Sequence, residues 1–167
     1  LTDYYLSRRD VAFAPVPKRM TLMLDQPYSG AFLRGYPKFN GLIWAYHWLQ
    51  VGLYEPLMVE QATTARRAGI DAAVARFRAM VPSDFPTTMP MTPMVAPTFT
   101  ARHPRAAAIF DNLHSLHDII SDILLSEVVA PENKRAAIEA ALEEFRDGTR
   151  NVMSDEAWRA PAAHHAH

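Results

Sequence analysis

Three polar residues in the second half of the chain have the spacing of metal ligands on one helix. Asp111, His114 and Asp118 are separated by three and four residues, so their side chains would stand in one row. An imidazole flanked by carboxylates can bind iron or another transition metal, and a carboxylate one turn away raises the basicity of the ring. The simpler interpretation is a solvated polar face, because the row lies opposite the apolar half of the helix. The sequence leaves both interpretations open.

His47 is the second candidate, within the aromatic segment Trp44-Ala45-Tyr46-His47-Trp48. On a helix it could face the Asp111–His114 row across a helix pair, which gives the predicted metal set His47, Asp111, His114 and Asp118. Aromatic rings around a histidine also suit a non-covalently bound haem, whereas the absence of Cys-x-x-Cys-His excludes covalent attachment. The competing interpretation is an aromatic core helix whose histidine makes one buried hydrogen bond.

A methionine cluster offers a third possibility. Met89, Met91 and Met94 present three thioethers, which are soft ligands that prefer Cu(I). The alternative needs no metal, since methionine is also an adaptable apolar side chain for a strap that packs on a hydrophobic groove. The C-terminal tail, residues 161–167, holds three further histidines that could bind metal without a function.

Composition excludes several kinds of chemistry. The 167 residues include no cysteine, so disulfides, thiolate metal sites and cysteine nucleophiles are absent. The sequence also lacks a glycine-rich phosphate loop, a His-Glu-x-x-His motif and a Gly-x-Ser-x-Gly motif. No complete catalytic set is visible, and the sequence therefore favours a binding or structural role over an enzyme.

Charge is balanced overall but uneven along the chain. The net charge is −1, which argues against a nucleic-acid partner. Residues 1–105 carry 12 basic and 7 acidic groups, whereas residues 106–167 carry 5 basic and 11 acidic groups. No apolar run is long enough for a transmembrane segment. A chain without cysteine suits an oxidising compartment, and a start at Leu1 with no signal-like segment fits a product from which such a segment was removed. We therefore expect an exported, periplasmic or extracellular product, with a cytoplasmic location as the alternative.

The secondary-structure elements that must position these residues are predicted from hydrophobic periodicity and from the positions of proline and glycine. We predict one domain with an aromatic arm over residues 1–40, helices over 41–80 and a proline-rich strap over 81–104, followed by helices over 105–160 and a tail over 161–167. Asn40 is the predicted N-cap of the first long helix, and Pro56 is predicted to kink or end it. The clearest helix is expected from about residue 105 to 128.

The sequence thus predicts an all-α fold, an irregular bundle of about four main helices with an extended aromatic arm and a Pro/Met-rich crossover strap. The expected function is a non-enzymatic accessory or interaction subunit that packs on a protein partner or on itself through the arm and strap. The alternative is a helical protein that binds iron, haem or copper.

Overall fold

The computed structural model describes residues 13–160 and confirms the all-α class. Four helices are long, and the described residues form no strand beyond one isolated bridge between Lys18 and Val152. The helices run in the order α1 (Thr21–Leu24), α2 (Ala31–Gly35), α3 (Pro37–Val59), α4 (Thr63–Ser83), α5 (Thr92–Val95), α6 (Pro97–Arg102), α7 (Pro104–Leu125), α8 (Lys134–Arg146) and α9 (Asp155–Arg159), with a 3-10 turn at Pro131–Asn133 before α8.

Helices α3 and α4 form an antiparallel pair. The start and the end of α3 differ from the prediction, at Pro37 and at Pro56 respectively. Helix α3 begins at Pro37, so Asn40 is a buried helical residue rather than the N-cap. It also continues through Pro56 to Val59 instead of ending near residue 55. Gly69 of α4 lies directly against this proline, since a Cβ at Gly69 would be 2.6 Å from the Pro56 Cβ. The packing of α4 on α3 thus accommodates a residue that normally disrupts a helix interior.

Helix α7 is the axis on which the other elements pack. One core cluster surrounds its first half and joins it to α3, α6 and α9 through Val51, Phe99 and Trp158. A second cluster surrounds its second half, where Leu116, Ile119 and Ile123 pack against Phe145 of α8, and this is the apolar face that the sequence pattern predicted.

The predicted strap is not extended over its whole length. Residues 92–102 form the short helices α5 and α6, and both have a proline in their first turn, where the missing amide costs no hydrogen bond. Thr92, Ala96 and Thr100 of this segment are fully buried. The strap therefore packs on its own domain and crosses from α4 to α7 as part of the core.

The described part of the arm, from Phe13 onward, also packs on the domain. Asn112 of α7 donates through Nδ2 to the carbonyl oxygens of Ala14 and Val16, at 2.9 and 2.8 Å. Its Oδ1 accepts a hydrogen bond from the backbone of Lys18. One side chain thus satisfies three backbone groups of the arm. Two further aromatic residues of the predicted arm, Tyr4 and Tyr5, lie outside the described residues.

Candidate functional site

The polar row of α7 faces inward. Asp111 is 2% exposed and His114 is 5% exposed, while Asp118 is half-buried. The interpretation of this row as a solvated face is therefore wrong. The row is buried because short elements of the arm, the strap and the C-terminal region cover the side of α7 that the apolar stripe leaves open.

Asp111 ties the strap and α9 to α7. Its Oδ1 accepts hydrogen bonds from the Thr92 amide at 2.9 Å and from the Thr92 hydroxyl at 2.6 Å. Its Oδ2 accepts a hydrogen bond from Trp158 Nε1 at 2.7 Å. Burial raises the pKa of Asp111 to about 6, although the bonds from Thr92 and Trp158 act in the opposite direction. Both oxygens of this carboxylate are thus engaged in holding the fold.

Asp118 and Asp122, the next carboxylates along the row, also accept hydrogen bonds from other elements of the fold. Asp118 accepts a hydrogen bond from Trp44 Nε1 of α3 at 2.9 Å. Burial raises its pKa to about 6, the bond from Trp44 opposes this rise, and the charge of Asp122 adds to it. Asp122 accepts from the amides of Gly30 and Phe32, both at 2.8 Å, and thereby satisfies the first turn of α2.

Unlike these carboxylates, which accept hydrogen bonds, His114 contacts the ring of His47. Their rings stack with centroids 3.7 Å apart and planes inclined by 18°. Phe110 of α7 meets His114 edge-on at 4.2 Å, and His117 lies 6.0 Å from His47, ring centroid to ring centroid. The prediction that His47 faces the α7 row across a helix pair thus matches the observed contact with His114.

Both stacked histidines are neutral bases at physiological pH. Burial, followed by the charge of His117, lowers the pKa of His47 to about 4. Burial lowers the pKa of His114 to about 3, with His47 and His117 adding to the effect. The Nδ1 atom of each ring is buried without a hydrogen-bond partner. Two unpaired buried ring nitrogens at one place are costly to a fold, and such groups call for an explanation.

A cavity of about 340 Å³ opens beside the stacked pair. It lies between α3 and α7, and Gln50 and His117 are its other polar residues. The remaining walls are apolar side chains of α7, namely Leu113, Leu116 and Ile120. The cavity thus combines a few convergent polar groups with an apolar lining, which is the usual make-up of a small-ligand site.

The four residues of the predicted metal set are not brought to one point. His47 and His114 meet, whereas the oxygens of Asp111 and Asp118 accept hydrogen bonds from Thr92, Trp158 and Trp44. Within residues 13–160, no group of three or more histidine or acidic side chains is placed to hold one metal ion.

The methionines of the predicted copper set have different surroundings. Met89 is buried, and its sulfur lies 3.8 Å from the Ser115 hydroxyl. Met91 packs against the core cluster around Val51 and Phe99, and Met94 is exposed.

Two features of the cavity were not identified from the sequence. Gln50 lines it three residues after His47, and His117 lines it three residues after His114. The i, i+3 spacing places each pair on one helix face, and this signal was available for both. The orphaned Nδ1 atoms, by contrast, depend on the packing around both helices.

An apolar groove lies at a second place, where α2 and the start of α3 meet the end of α7. Phe32 contacts both Tyr36 and Phe39, with ring centroids 5.9 and 5.8 Å apart. The groove measures about 300 Å³, and its wall on the α7 side is formed by Ser121, Leu124 and Leu125.

The comparisons with known proteins name no role for the cavity or the groove. No helix within the described range is long and apolar enough to span a bilayer. No protein-family model, no curated protein and no solved structure matches this chain.

Proposed function

We propose that this chain is a non-enzymatic interaction subunit, and that it associates with a second copy of itself through the groove between α2, α3 and α7. The observation that carries the proposal is the exposure of the groove's aromatic side chains. Tyr36 is 53% exposed and Phe39 is 54% exposed, although both contact Phe32. Clustered aromatic rings that remain open to water are characteristic of protein interfaces.

The apolar surface extends beyond the groove itself. Leu33 of α2 is exposed, as are Leu124 and Leu125 of α7 and Val128 just after it. A stable interface buries more than about 1,000 Å² of surface in total, and its centre is depleted in charged residues. Because further apolar residues surround the groove, the centre of such an interface would be depleted in charged residues.

Charge favours a second copy as the occupant. The α2–α3 side of the groove belongs to residues 1–105, which carry a net charge of +5, and it includes Arg34 and Lys38. The α7 side belongs to residues 106–167, which carry a net charge of −6, and Glu127 lies two residues beyond the end of α7. A two-fold contact across the groove sets the basic side of each copy against the acidic side of the other, so the surface is self-complementary.

The groove replaces the strap as the proposed contact surface. Thr92, Ala96 and Thr100 of the strap are buried against the chain's own core, so they are not accessible to a partner. The aromatic surface of the described arm, by contrast, continues into the groove through Phe32 and Tyr36.

The test is the mass of the protein in solution over a wide concentration range, by light scattering and analytical ultracentrifugation. We expect a concentration-dependent dimer that dissociates at least about tenfold more readily in the Phe39→Ser variant. Truncation of a central interface aromatic costs about 1 kcal/mol or more, and a two-fold interface loses this contribution twice. Leu57→Ser is the matched control, because Leu57 is exposed near the other end of the same helix.

Two results contradict the proposal. One is a monomer at every concentration. The other is a dimer whose dissociation constant is unchanged by Phe39→Ser. A dimer weakened equally by Phe39→Ser and Leu57→Ser would place the interface elsewhere on α3 and would overturn the assignment to the groove.

A further inference from the structure

The cavity between α3 and α7 has a buried floor and an exposed rim. His47, His114 and Leu116 form the floor, with 6%, 5% and 3% of their surfaces exposed, whereas Gln50 and His117 are exposed at the rim. The volume of about 340 Å³ lies at the lower end of the range of small-molecule sites. The floor thus places two buried polar rings beside a space that suits a small organic molecule.

The two nitrogens of each ring have different surroundings. Nδ1 of His47 and Nδ1 of His114 are buried without a hydrogen-bond partner. Nε2 of each ring also has no partner within the described chain but, unlike Nδ1, it is not buried. Because both residues line the cavity, Nε2 is the nitrogen that opens on it.

The burial of both Nδ1 atoms assigns the proton of each ring to Nε2. Low pKa values, about 4 for His47 and about 3 for His114, keep both rings neutral at physiological pH. A neutral imidazole has one N–H donor and one bare acceptor nitrogen. Among backbone groups, buried donors without a partner are rarer than buried acceptors without one, and the same reasoning puts the bare nitrogen at the buried position. The cavity floor therefore presents two N–H donors.

These two donors lie side by side. The rings stack with their planes inclined by 18° and their centroids 3.7 Å apart. An imidazole N–H bond lies in the plane of its ring, so nearly parallel rings donate along neighbouring lines that do not converge on one atom. Two acceptor atoms separated by about the ring spacing therefore fit the pair better than a single acceptor does.

We propose that the cavity binds an uncharged small molecule with an apolar ring and two neighbouring carbonyl oxygens, which accept hydrogen bonds from Nε2–H of His47 and of His114. The apolar ring packs on Leu113, Leu116 and Ile120 of α7. No Asp, Glu, Lys or Arg lines the cavity within the described residues, so an ionised ligand would lose hydration without gaining a charged partner from those side chains.

Two isomeric probes test the spacing of the acceptors. Dimethyl phthalate carries two ester carbonyls on adjacent ring carbons, whereas dimethyl isophthalate has the same atoms with the carbonyls further apart. In calorimetric titration we expect one equivalent of dimethyl phthalate to bind, and dimethyl isophthalate to bind at least about fivefold more weakly, since it can use only one of the two donors at a time. The isomers have the same composition and nearly the same apolar surface, so general hydrophobic binding would not separate them.

NMR of protein labelled with ¹⁵N-histidine tests the two donors without any substitution. The ¹⁵N chemical shift of a ring nitrogen distinguishes N–H from bare nitrogen. We expect His47 and His114 to carry the proton on Nε2, and dimethyl phthalate to shift both Nε2–H signals.

Phenylalanine variants separate hydrogen bonding from packing. His47→Phe and His114→Phe keep a flat ring in the stack and remove the N–H donor, so each should abolish the preference for dimethyl phthalate over dimethyl isophthalate. His103→Phe is the matched control, because His103 lies at the end of α6 and does not line the cavity. Phe39→Ser, in the groove, should keep the preference too, so this test does not depend on self-association.

Four results overturn the inference. They are no binding of dimethyl phthalate, equal affinity for the two isomers, a proton on Nδ1 of both rings, and an unchanged preference in both His47→Phe and His114→Phe. Monomethyl phthalate, which is an anion at neutral pH, tests the ligand class. Tighter binding of this anion than of dimethyl phthalate would overturn the assignment of an uncharged ligand.

Discussion

His47 of α3 and His114 of α7 stack face to face, with ring centroids 3.7 Å apart, and neither has a hydrogen-bond partner for its Nδ1 atom. Two like bases packed this closely cannot both become charged without strong repulsion. The contact therefore makes the stability of the fold sensitive to pH, and it lies beside the cavity between α3 and α7.

The stacked histidine pair should destabilise the folded protein in acid. The pKa of His47 is lowered to about 4 and that of His114 to about 3, whereas unfolded histidine titrates near 6.5. Their contribution is therefore present above pH 6.5 and is lost as the pH falls toward those folded-state values, by up to about 1.4 kcal/mol per pH unit for each group.

The buried carboxylates act in the opposite direction. The pKa values of Asp111 and Asp118 are raised to about 6, so their contribution is complete below about pH 4 and is lost as the pH rises through 6. The histidine pair is tested by urea denaturation. The double variant His47→Phe/His114→Phe should gain stability between pH 6 and 4.5, relative to the unsubstituted protein. A constant difference between the two proteins over this range would refute the assignment.

Thr92→Val should destabilise the contact between the strap and α7. The change removes the hydroxyl that donates to Asp111 Oδ1 at 2.6 Å and leaves the side-chain shape nearly unchanged. Loss of a buried hydrogen bond to a charged group costs about 1.5–3 kcal/mol, and chemical denaturation measures it. Thr98→Val, at an exposed position six residues further on, should stay within about 0.5 kcal/mol of the unsubstituted protein.

Gly69→Ala should destabilise the chain, although alanine is the better helix former by about 1 kcal/mol. The added Cβ would lie 2.6 Å from the Pro56 Cβ, so α4 would have to move away from α3. Gly35→Ala provides the contrast, because a Cβ there would meet nothing within 4 Å. Equal melting temperatures for the two variants would show that the close contact at Pro56 carries no energetic cost.

Asp122→Ala should weaken self-association without touching the groove directly. The Asp122 carboxylate accepts hydrogen bonds from Gly30 and Phe32 and so fixes the start of α2. Its loss is expected to cost about 0.5–2 kcal/mol of stability, as other helix caps do, and to free the segment that carries Phe32. Sedimentation at a temperature where the variant is folded measures the effect, with the exposed Asp25→Ala as control.

The haem and copper alternatives are tested by an absorption spectrum and by Cu(I) titration. A haem bound by His47 predicts a Soret band in protein purified without metal affinity. Because Met89, Met91 and Met94 have separate surroundings, we expect the triple change of these residues to leucine to leave Cu(I) affinity unchanged. A large loss of affinity in that variant would restore the methionine cluster as a copper site.

Local pattern was sufficient for the helices with a clear apolar face. Helix α7 spans Pro104–Leu125 where residues 105–128 were expected, and Leu116, Ile119 and Ile123 are buried as the pattern requires. Periodicity is a property of neighbouring residues, so it can be read without knowing the partner helices. The i, i+3 and i, i+4 spacing also placed Asp111, His114 and Asp118 correctly on one side of α7.

Tertiary packing decided the rest. The sequence could show that Asp111 and His114 share a row. Only the elements that cover the row determine that it is buried and that Thr92 and Trp158 donate hydrogen bonds to Asp111. The same holds for Pro56, which stays helical because Gly69 makes room for it, and for His47, which meets His114 from 67 positions earlier in the chain. Burial and long-range contact depend on which surfaces exclude water together, and no local stretch of sequence contains that information.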